Sequence, residues 1–505
     1  MQTRYVLPEK AVMLMFLLSL LSFPFQAASP FECKVIDEAT REPLAFANVV
    51  VEGTGNGSVT NIDGVFVLDI SELSSQQMIL ISYLGYQTKR ISVKEMSSQR
   101  EIMLQKAALN LSEVIVPTKR LTAEQIIKLV EEHFEDNYPA VDAQQRMFYH
   151  YYQRTPNPGR NGIKVKRSNF PGLDKSLMEE IMALLPDQFV EYQDVIVDLY
   201  SHDGSQKLKP IQAISLEEGQ QEEFEKKAEE KLEVLMKNIG ESKEQEGVYY
   251  KIRTGFLSQK IDSEDEEQES EESDEEDRNH METPTEFVKS DIQHIIREFA
   301  HFNSDCWEFI TESGHYKYTL DDATVLDSHV VYQIHFKPKR KGIYEGTVYI
   351  SVDDFAVLMV DYAFAAGKED EAIQLLGVGH AIRDKRSRVL FEPFGDGYAV
   401  KYINARELEY FGVERTFSIM KKQKRFLIDK ELAEIKFDTD LKFENYSEYE
   451  LLVMNRKHIS ESFYESMEEP KTVVYRKELM NSREMWNNQT VIAPAESLKT
   501  FRRQQ

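Results

Sequence analysis

Short segments that alternate apolar and polar residues recur along this chain, and they set the strongest limit on its fold. In the first hundred residues such segments lie at residues 31–35, 47–51, 65–68 and 78–82. Glycines and the pair Asp63-Gly64 separate them. Alternation with a period of two is typical of strands with one buried face, and Asp-Gly is a strong hairpin signal. Strands at about ten-residue spacing predict an all-β sandwich over residues 29–117.

The same alternation dominates the chain after Trp307. Predicted strands cover residues 316–320, 330–336, 344–350, 356–362, 388–391 and 398–403. Asp353-Asp354 and residues 395–397 supply turns between them. Successive hairpins predict a large curved antiparallel sheet over residues 286–480, with one face buried and one face available. We expect a single helix, at residues 290–302, to pack ahead of it.

Residues 118–258 are predicted to form a helix-rich α+β linker region. Thr122 and Gln125 have capping-box spacing, and an apolar stripe of period four follows, so a helix should begin after Thr122. Pro139 should end it, because the residue before a proline disfavours helix. A second capped helix is expected from Ser215 to about residue 239, and strands at residues 147–152 and 190–200. The aromatic residues at 147–152 could stack on sugars, but packing in a sheet is their commoner role.

The acidic charge of the chain is concentrated in one tract. The 505 residues include 87 acidic and 61 basic ones, a formal net charge of −26. Residues 262–277 hold twelve acids and no base. With no apolar residue to bury, we predict a disordered acidic insert at residues 259–285. The tract lacks the spacing and central glycine of a calcium-binding loop. An acidic surface does not attract a phosphate backbone, so no nucleic-acid partner is expected.

The N-terminus has the pattern of a secretory signal peptide. Arg4 and Lys10 precede a mostly apolar run at residues 11–25, and small residues end at Ala28. We expect cleavage near Ala28, which makes residues 1–28 a signal peptide; the alternative is an uncleaved anchor. No later stretch reaches eighteen apolar residues, so no transmembrane span is expected in the mature chain. The predicted location is the periplasm or the outer membrane.

The side chains that usually carry chemistry show no suggestive spacing. The two cysteines, Cys33 and Cys306, are too few for a disulfide framework or a Cys-based zinc site, and we expect two buried thiols. His329 and His335 share a face of a probable strand, but no third ligand is placed near them. There is no nucleophile elbow and no phosphate-binding glycine loop. We therefore predict no catalytic, cofactor-binding or metal-binding residue and no cofactor.

Five motifs in the first sandwich resemble one known family. They are residues 33–37 (CKVID), 42–49 (EPLAFANV), 58–66 (SVTNIDGVF), 81–86 (ISYLGY) and 111–116 (LSEVIV). Together they resemble the carboxypeptidase-like regulatory domain, a transthyretin-like sandwich of seven strands found in exported proteins of double-membrane bacteria. Cys33 stands where that family usually has glycine.

The resemblance implies an accessory module and no peptidase chemistry. A metallocarboxypeptidase needs His-x-x-Glu and a later histidine as zinc ligands. The chain has His458 and Glu461, and no histidine follows them. TonB-dependent transporters carry the same module before a plug and a large barrel, for which this chain is too short. Residues 336–357 and 486–494 resemble uncharacterised bacterial proteins that carry this module, with residues 481–505 as a C-terminal tail.

Three hypotheses for function follow. The first is a non-catalytic exported envelope protein that binds or scaffolds a partner. That partner would be an envelope protein, or an apolar, lipid-like ligand on the open face of the curved sheet. The sheet resembles the half-barrel of periplasmic lipoprotein carriers. The alternative is an envelope hydrolase with an unrecognised catalytic constellation, and a purely structural role at the outer membrane is a third. Basic clusters at residues 337–341, 383–388 and 421–425 could contact lipopolysaccharide phosphates or the acidic insert if they gather at one edge.

Overall fold

Strands make up most of the chain in a computed structural model. The structure describes residues 31–107, 121–157, 162–170, 186–216, 248–254, 257–261, 280–300 and 306–478, with gaps at positions 55, 141, 322, 328 and 427, and a few further positions that include Ile492. The predicted signal peptide, most of the acidic insert, nearly all of the C-terminal tail and nearly all of residues 217–239 of the second predicted helix lie outside these residues. The predicted start of that helix is wrong, because Ser215 lies in a strand, Ser205–Leu216.

The N-terminal unit is a sandwich of two small sheets. Its strands are β1 (Phe31–Asp37), β2 (Asn48–Val51), β3 (Gly57–Val59), β4 (Val65–Leu68), β5 (Met78–Ser82), β6 (Lys89–Ser92) and β7 (Glu101–Leu104), and helix α1 (Val93–Met96) follows β6. One sheet has the order β4-β1-β7 and the other β3-β2-β5-β6. The predicted all-β, seven-stranded sandwich is confirmed.

The sandwich has a core of its own, which includes Cys33, Val35, Phe66 and Ile81. Gly64 supplies the tight turn before β4 with a φ of +76°. A side chain there would lie 2.7 Å from the carbonyl oxygen of Val35, so only glycine fits. The Asp63-Gly64 signal therefore reports both a turn and a close approach of two backbone segments.

The remaining strands form one large sheet of 17 strands. They are β8 (Ala143–Pro156), β9 (Ile163–Ser168), β10 (Gln188–His202), β11 (Ser205–Leu216), β12 (Val248–Thr254), β13 (Leu257–Ile261), β14 (His280–Pro284), β15 (Tyr316–Leu320), β16 (Thr324–Leu326), β17 (His329–Pro338), β18 (Tyr344–Ser351), β19 (Val357–Phe364), β20 (Asp370–Leu375), β21 (Val378–Phe394), β22 (Gly397–Gln423), β23 (Lys430–His458) and β24 (Thr472–Glu478). The predicted curved, mainly antiparallel sheet is confirmed.

Hydrogen-bonded pairing gives the strand order across the middle of this sheet. It runs β14-β24-β11-β10-β8-β23-β22-β21-β19-β18-β17, with β15 and β16 along the far edge of β17. Strands β22 and β23 continue well beyond this middle part. Strands β9 and β12 flank their far ends, and β20 pairs with the first residues of β21.

Helices cover one face of the sheet, which we call the helix face. The remaining helices are α2 (Ala123–Glu132), α3 (Phe134–Asn137), α4 (Thr285–Phe299), α5 (Glu308–Thr311) and α6 (Glu461–Glu465). Helices α2, α4 and α5 bury apolar side chains against Met147, Tyr149 and other residues of this face. Phe309 of α5 stacks on Phe336 of β17 with ring centres 4.2 Å apart.

The predicted helix after Thr122 and its capping box are confirmed. The Thr122 hydroxyl accepts a hydrogen bond from the Gln125 backbone at 3.3 Å, and the Gln125 side chain accepts one from the Thr122 backbone at 2.9 Å. Helix α4 begins five residues before the predicted start, because the buried positions Val288, Ile292 and Ile295 extend the apolar stripe toward Pro284.

The large sheet includes strands from both sides of the predicted boundary between the linker region and the sheet domain. The predicted linker region, residues 118–258, contributes β8 to β12 to the same sheet as residues 286–480, and β8 lies between β10 and β23. In the predicted disordered insert, residues 259–261 lie in β13, and residues 280–284 form β14, which pairs with β24. These segments are joined by pairing between strands that are distant in sequence, and local sequence patterns do not predict such pairing.

Among the described residues, no helix is both long enough and apolar enough to cross a membrane.

Candidate functional site

The sandwich rests on the second face of the large sheet, which we call the sandwich face. Val59 of the sandwich is fully buried in a cluster that includes Tyr402, Leu390 and Leu452 of the sheet. The ring of Phe46 lies 5.9 Å from that of Tyr402. The expectation that one sheet face stays available is therefore wrong for the middle of the sheet, because the sandwich covers one face and helices cover the other.

Hydrogen bonds fix the sandwich on this face. Asp327, in the turn between β16 and β17, accepts hydrogen bonds from the side chains of Asn48 (3.3 Å) and Ser82. The backbone nitrogen of Gly85 donates to the carbonyl of Val325 at 2.9 Å. Phe46 has a left-handed backbone with φ of +66°, which is rare for a bulky side chain. These contacts place the two units in one defined orientation.

A row of polar side chains crosses the sandwich face beside this apolar contact. Its members are direct register partners on eight neighbouring strands: Asp194, His150, Glu450, Asn404, Arg388, Asp361, Thr347 and His335. We call this set the polar row. The adjacent row on the same face is apolar and includes Phe148, Leu452, Tyr402 and Leu390. The polar row therefore interrupts the apolar surface of this face, which continues beyond the row at Tyr192 and Tyr152.

Members of the polar row are hydrogen-bonded to each other along its length. The Asn404 amide donates to Glu450 at 3.1 Å, and Arg388 Nε donates to Asp361 at 3.0 Å. His335 Nδ1 lies 2.7 Å from the Thr347 hydroxyl. The Arg388 guanidinium also lies over the ring of Phe46, 4.9 Å from its centre. This cation–π contact connects the polar row directly to the sandwich.

His150 forms the most buried ion pair of the row, with Asp194. It is 5% exposed, and its Nδ1 lies 2.6 Å from a carboxylate oxygen of Asp194, which is 2% exposed. Burial lowers the pKa of His150, but the Asp194 charge and hydrogen bond outweigh it and raise the pKa to about 9. Burial also raises the pKa of Glu450, against the opposing effect of His150. At neutral pH, His150 is therefore a cation and not a free base.

A polar cavity of about 440 Å³ lies between the sandwich and the sheet. Asp69 and Glu72 line it from the sandwich, and Arg146 and Lys457 line it from the sheet. Arg146 forms two hydrogen bonds, at 2.8 and 2.9 Å, with Asp198 across the neighbouring strand. This ion pair forms part of the sheet wall of the cavity, which we call the interface cavity.

A second cavity of about 610 Å³ opens on the helix face. Met147, Val400, Val453 and Ile296 form the apolar part of its lining, and polar and charged side chains such as Asp142 and Glu461 form the rest. We call it the helix-side cavity. Arg456 at its wall is itself nearly buried, and it donates to Gln145 and Glu392, each at 2.9 Å. Apolar side chains beside a few fixed polar groups are typical of a small-molecule pocket.

The residues singled out in the sequence are not brought together into one site. His335 lies at the end of the polar row and within 2.8 Å of Asp321, and His329 opens the same strand. Within the described residues, no group of three or more His, Cys, Asp and Glu side chains could hold a metal ion. Cys33 and Cys306 are free and buried, as predicted, and burial raises the pKa of Cys33 to about 11.

The three basic clusters do not gather at one edge. In residues 383–388, Lys385 is bound by Glu298 and Glu407, and Arg388 by Asp361. Arg386 is level with Arg406 on β22. Residues 421–425 lie fifteen or more positions further along that strand, roughly 50 Å at the usual rise of a strand. The sequence did not indicate the polar row, because its members come from strands between residues 143 and 458.

Comparison with known proteins identifies the N-terminal unit. Residues 32–116 match the family model of the CarboxypepD_reg-like domain. The module is also 36% identical over 84 residues to the TonB-dependent receptor SusC of Bacteroides thetaiotaomicron, a match that covers 16% of this chain and 8% of the receptor. The sandwich of this chain is a carboxypeptidase regulatory-like domain, and the chain spans only a small part of the receptor's length.

Among solved structures, the chain aligns with MucB in complex with MucA(peri). That alignment has a TM-score of 0.16 at 7% identity and covers 67% of this chain and 100% of MucB. A second MucA/MucB complex, from Pseudomonas aeruginosa, gives 0.15 at 8% identity, with 66% and 99% covered. Scores this low do not indicate a shared fold, so the large sheet is interpreted from its own geometry.

Proposed function

We propose that this chain is a non-catalytic exported protein of the bacterial envelope that binds or scaffolds a partner, and that an apolar or lipid-like molecule occupies the helix-side cavity. The group of apolar side chains in the otherwise polar lining of that cavity is the observation that carries the proposal. Met147, Val400 and Val453 face a space of about 610 Å³, within the range of small-molecule pockets. The ligand then lies under the helices and not on an open sheet face.

Two features support a place in the envelope. The N-terminal residues have the pattern of a secretory signal peptide. The regulatory-like module also occurs in a TonB-dependent receptor, a class of envelope protein. In this chain the module is seated on the sheet by Asp327 and by apolar packing, which suits a scaffold that holds the sheet in a fixed relation to a partner.

One cluster favours the alternative, an envelope hydrolase, and its environment argues against it. His150, Asp194 and Glu450 bring together the side chains that a hydrolase uses. However, His150 and Asp194 are almost completely buried, and none of the three lines either cavity. A histidine with a pKa of about 9 is also protonated at neutral pH and cannot accept a proton as a general base.

Mass spectrometry of organic extracts from the purified protein tests the proposal. We expect co-extracted lipid from the wild type and from Ala363→Trp, which enlarges a half-buried residue of β19 away from both cavities. Ala399→Trp fills part of the helix-side cavity and should lose most of that lipid. Equal lipid in both variants, or none in the wild type, would remove the cavity from the proposal. Turnover of an ester or peptide that His150→Gln abolishes would establish the hydrolase instead.

A further inference from the structure

The hairpin that joins β22 and β23 ends in a tip unlike the rest of the molecule. At this tip, Phe426 is fully exposed (101%) and Ile428 is 83% exposed. Large apolar side chains are rarely left in water at a hairpin end unless they contact something. The tip lies more than twenty residues along β22 from Tyr402, or roughly 70 Å from the sandwich contact. Whatever these side chains contact is therefore remote from both cavities.

The tip is also strongly basic within an acidic chain. Residues 421–430 contain five bases and one acid, a net charge of +4, whereas the other 495 residues sum to −30. The one acid, Asp429, accepts hydrogen bonds from the Arg425 backbone (3.0 Å) and from the Tyr249 hydroxyl (2.6 Å). It thus holds the turn in shape. Within the described residues, the Lys422, Lys424 and Arg425 side chains form no ion pair.

A second hairpin tip in the same chain also exposes apolar residues but differs in charge. The turn between β20 and β21 exposes Ile373, Leu375 and Leu376, each by half or more. Residues 368–375, which lead into it, carry one lysine and three acids. We call this the acidic tip and residues 421–430 the basic tip. Exposed apolar residues occur at both, so the positive charge distinguishes the basic tip.

We infer that the basic tip binds the surface of an anionic phospholipid bilayer. Two apolar side chains on a convex turn fit the boundary between headgroups and acyl chains, where the bilayer closes around them without a preformed groove. The lysines and arginine beside them are attracted to anionic headgroups, and their long aliphatic stems can lie along the apolar surface. Two apolar residues and a few charges give weak, reversible, salt-sensitive binding, so the hairpin acts as a contact and not as an anchor.

The experiment places an environment-sensitive NBD label on the tip of the full chain. Ile428→Cys carries the label, and Leu375→Cys in the acidic tip is the matched control. The native thiols, Cys33 and Cys306, are 1% and 2% exposed and should not react. Because the label reports its own surroundings, binding through any other part of the chain does not imitate insertion of the tip.

Vesicles of phosphatidylcholine with about a third phosphatidylglycerol should raise the emission of the Ile428→Cys label severalfold and shift it to shorter wavelength. Vesicles of phosphatidylcholine alone should not, and the Leu375→Cys label should not respond to either. Reversing three charges in the same background, Lys422→Glu with Lys424→Glu and Arg425→Glu, should weaken the apparent affinity at least about tenfold. Raising sodium chloride to about 0.5 M should weaken it similarly.

Three results would overturn the inference. They are equal responses to neutral and anionic vesicles, an equal response of the acidic tip, and no response to any vesicle. A response that requires another envelope protein and no lipid would assign the tip to a protein partner instead. Each of these results is independent of lipid in the helix-side cavity, so this inference and the proposed function fail separately.

Discussion

The two faces of the large sheet are covered in different ways. On the helix face, α2, α4 and α5 come from the same stretch of chain as the strands, and their apolar side chains pack against those of the sheet in one core. On the sandwich face, the covering unit has a separate core, and only a patch of its surface meets the sheet. The helix face is thus part of the sheet's own core, whereas the sandwich face is an interface between two units.

The polar row limits the positions that the sandwich can take on the sheet. Apolar rows alone would let the sandwich slide along the sheet, since apolar contact has little directional preference. A row of charged and hydrogen-bonded groups beside the patch makes such a shift costly, because those groups would be buried without their partners. Arg388 contacts both units, because it donates a hydrogen bond to Asp361 of the sheet and lies over the ring of Phe46 of the sandwich.

The largest expected effect comes from removing an aromatic side chain on the helix face. Phe309 is fully buried and stacks on Phe336. Phe309→Ala should lower the free energy of unfolding by about 4 kcal/mol, because it leaves a cavity in a close-packed core. Urea unfolding followed by circular dichroism measures the change. Phe426→Ala, at a fully exposed phenylalanine, should change it by less than about 0.5 kcal/mol. A similar small loss for Phe309→Ala would contradict the assignment of this face as a core.

The next effect depends on pH and tests the sandwich face. The folded pKa of His150 is about 9, above the value of about 6.5 expected in the unfolded chain. Because the folded state holds this proton more tightly, the stabilisation is complete below about pH 6.5 and is lost as the pH rises toward 9. The difference amounts to roughly 3 kcal/mol over that window. Urea unfolding at several pH values between 6 and 9.5 would measure it.

His150→Gln is the control for that pH dependence. Glutamine keeps a hydrogen-bond donor near Asp194 but cannot titrate, so stability should change much less between pH 6.5 and 9. A variant that retains the wild-type slope would show that another group carries the proton. Asp194→Asn should also weaken the pH dependence, since the Asp194 charge is the main influence that raises the pKa of His150.

A smaller loss of stability is expected from a substitution that disrupts the contact between the sandwich and the sheet. Val59→Asp places a carboxylate in the apolar contact between the sandwich and the sheet. The sandwich can move off the sheet and hydrate that charge, so the cost is limited to the loss of the contact, about 2 kcal/mol. Calorimetry should show two transitions in the variant in place of one cooperative transition. Ile62→Asp, the same kind of substitution at a sandwich position that is 59% exposed, is the control and should keep one transition. A single transition in Val59→Asp would mean that the two units share one core.

Sequence patterns predicted the parts of this fold that depend on near neighbours. The Thr122 cap, the Asp63-Gly64 turn and the strands that alternate clearly were predictable, because each depends on a few adjacent residues. Strand β23 was missed over its whole length. Apolar and polar residues do alternate from Ala433 to Phe443, and an apolar run follows at residues 451–454, so a strand signal was present there and was not recognised. Long pairing with β22 and β8 joins these parts through the polar residues between them.

The candidate site could not be predicted for a related reason. The helix-side cavity joins residues from 139 to 461, and the polar row joins strands from β8 to β23. No spacing in the sequence places His150 between Asp194 and Glu450. The predicted open face was a reasonable inference from alternation alone, since alternation shows that a strand has two unlike faces. It does not show that a separate module covers the second face.

The smallest loss of stability is expected on the helix face, from removal of the side-chain cap of helix α2. Thr122→Ala removes the hydroxyl that accepts the Gln125 backbone hydrogen bond at the start of α2. The loss should be about 1 kcal/mol, since capping residues contribute that much and the helix still buries Ile126 and Val130. Thr122→Ser keeps the acceptor and should restore most of the stability in the same urea experiment. Because α2 packs on the sheet and does not touch the sandwich interface, the pH dependence due to His150 should be unchanged in Thr122→Ala. A changed pH dependence would mean that the two faces are coupled through the sheet and do not behave as separate layers.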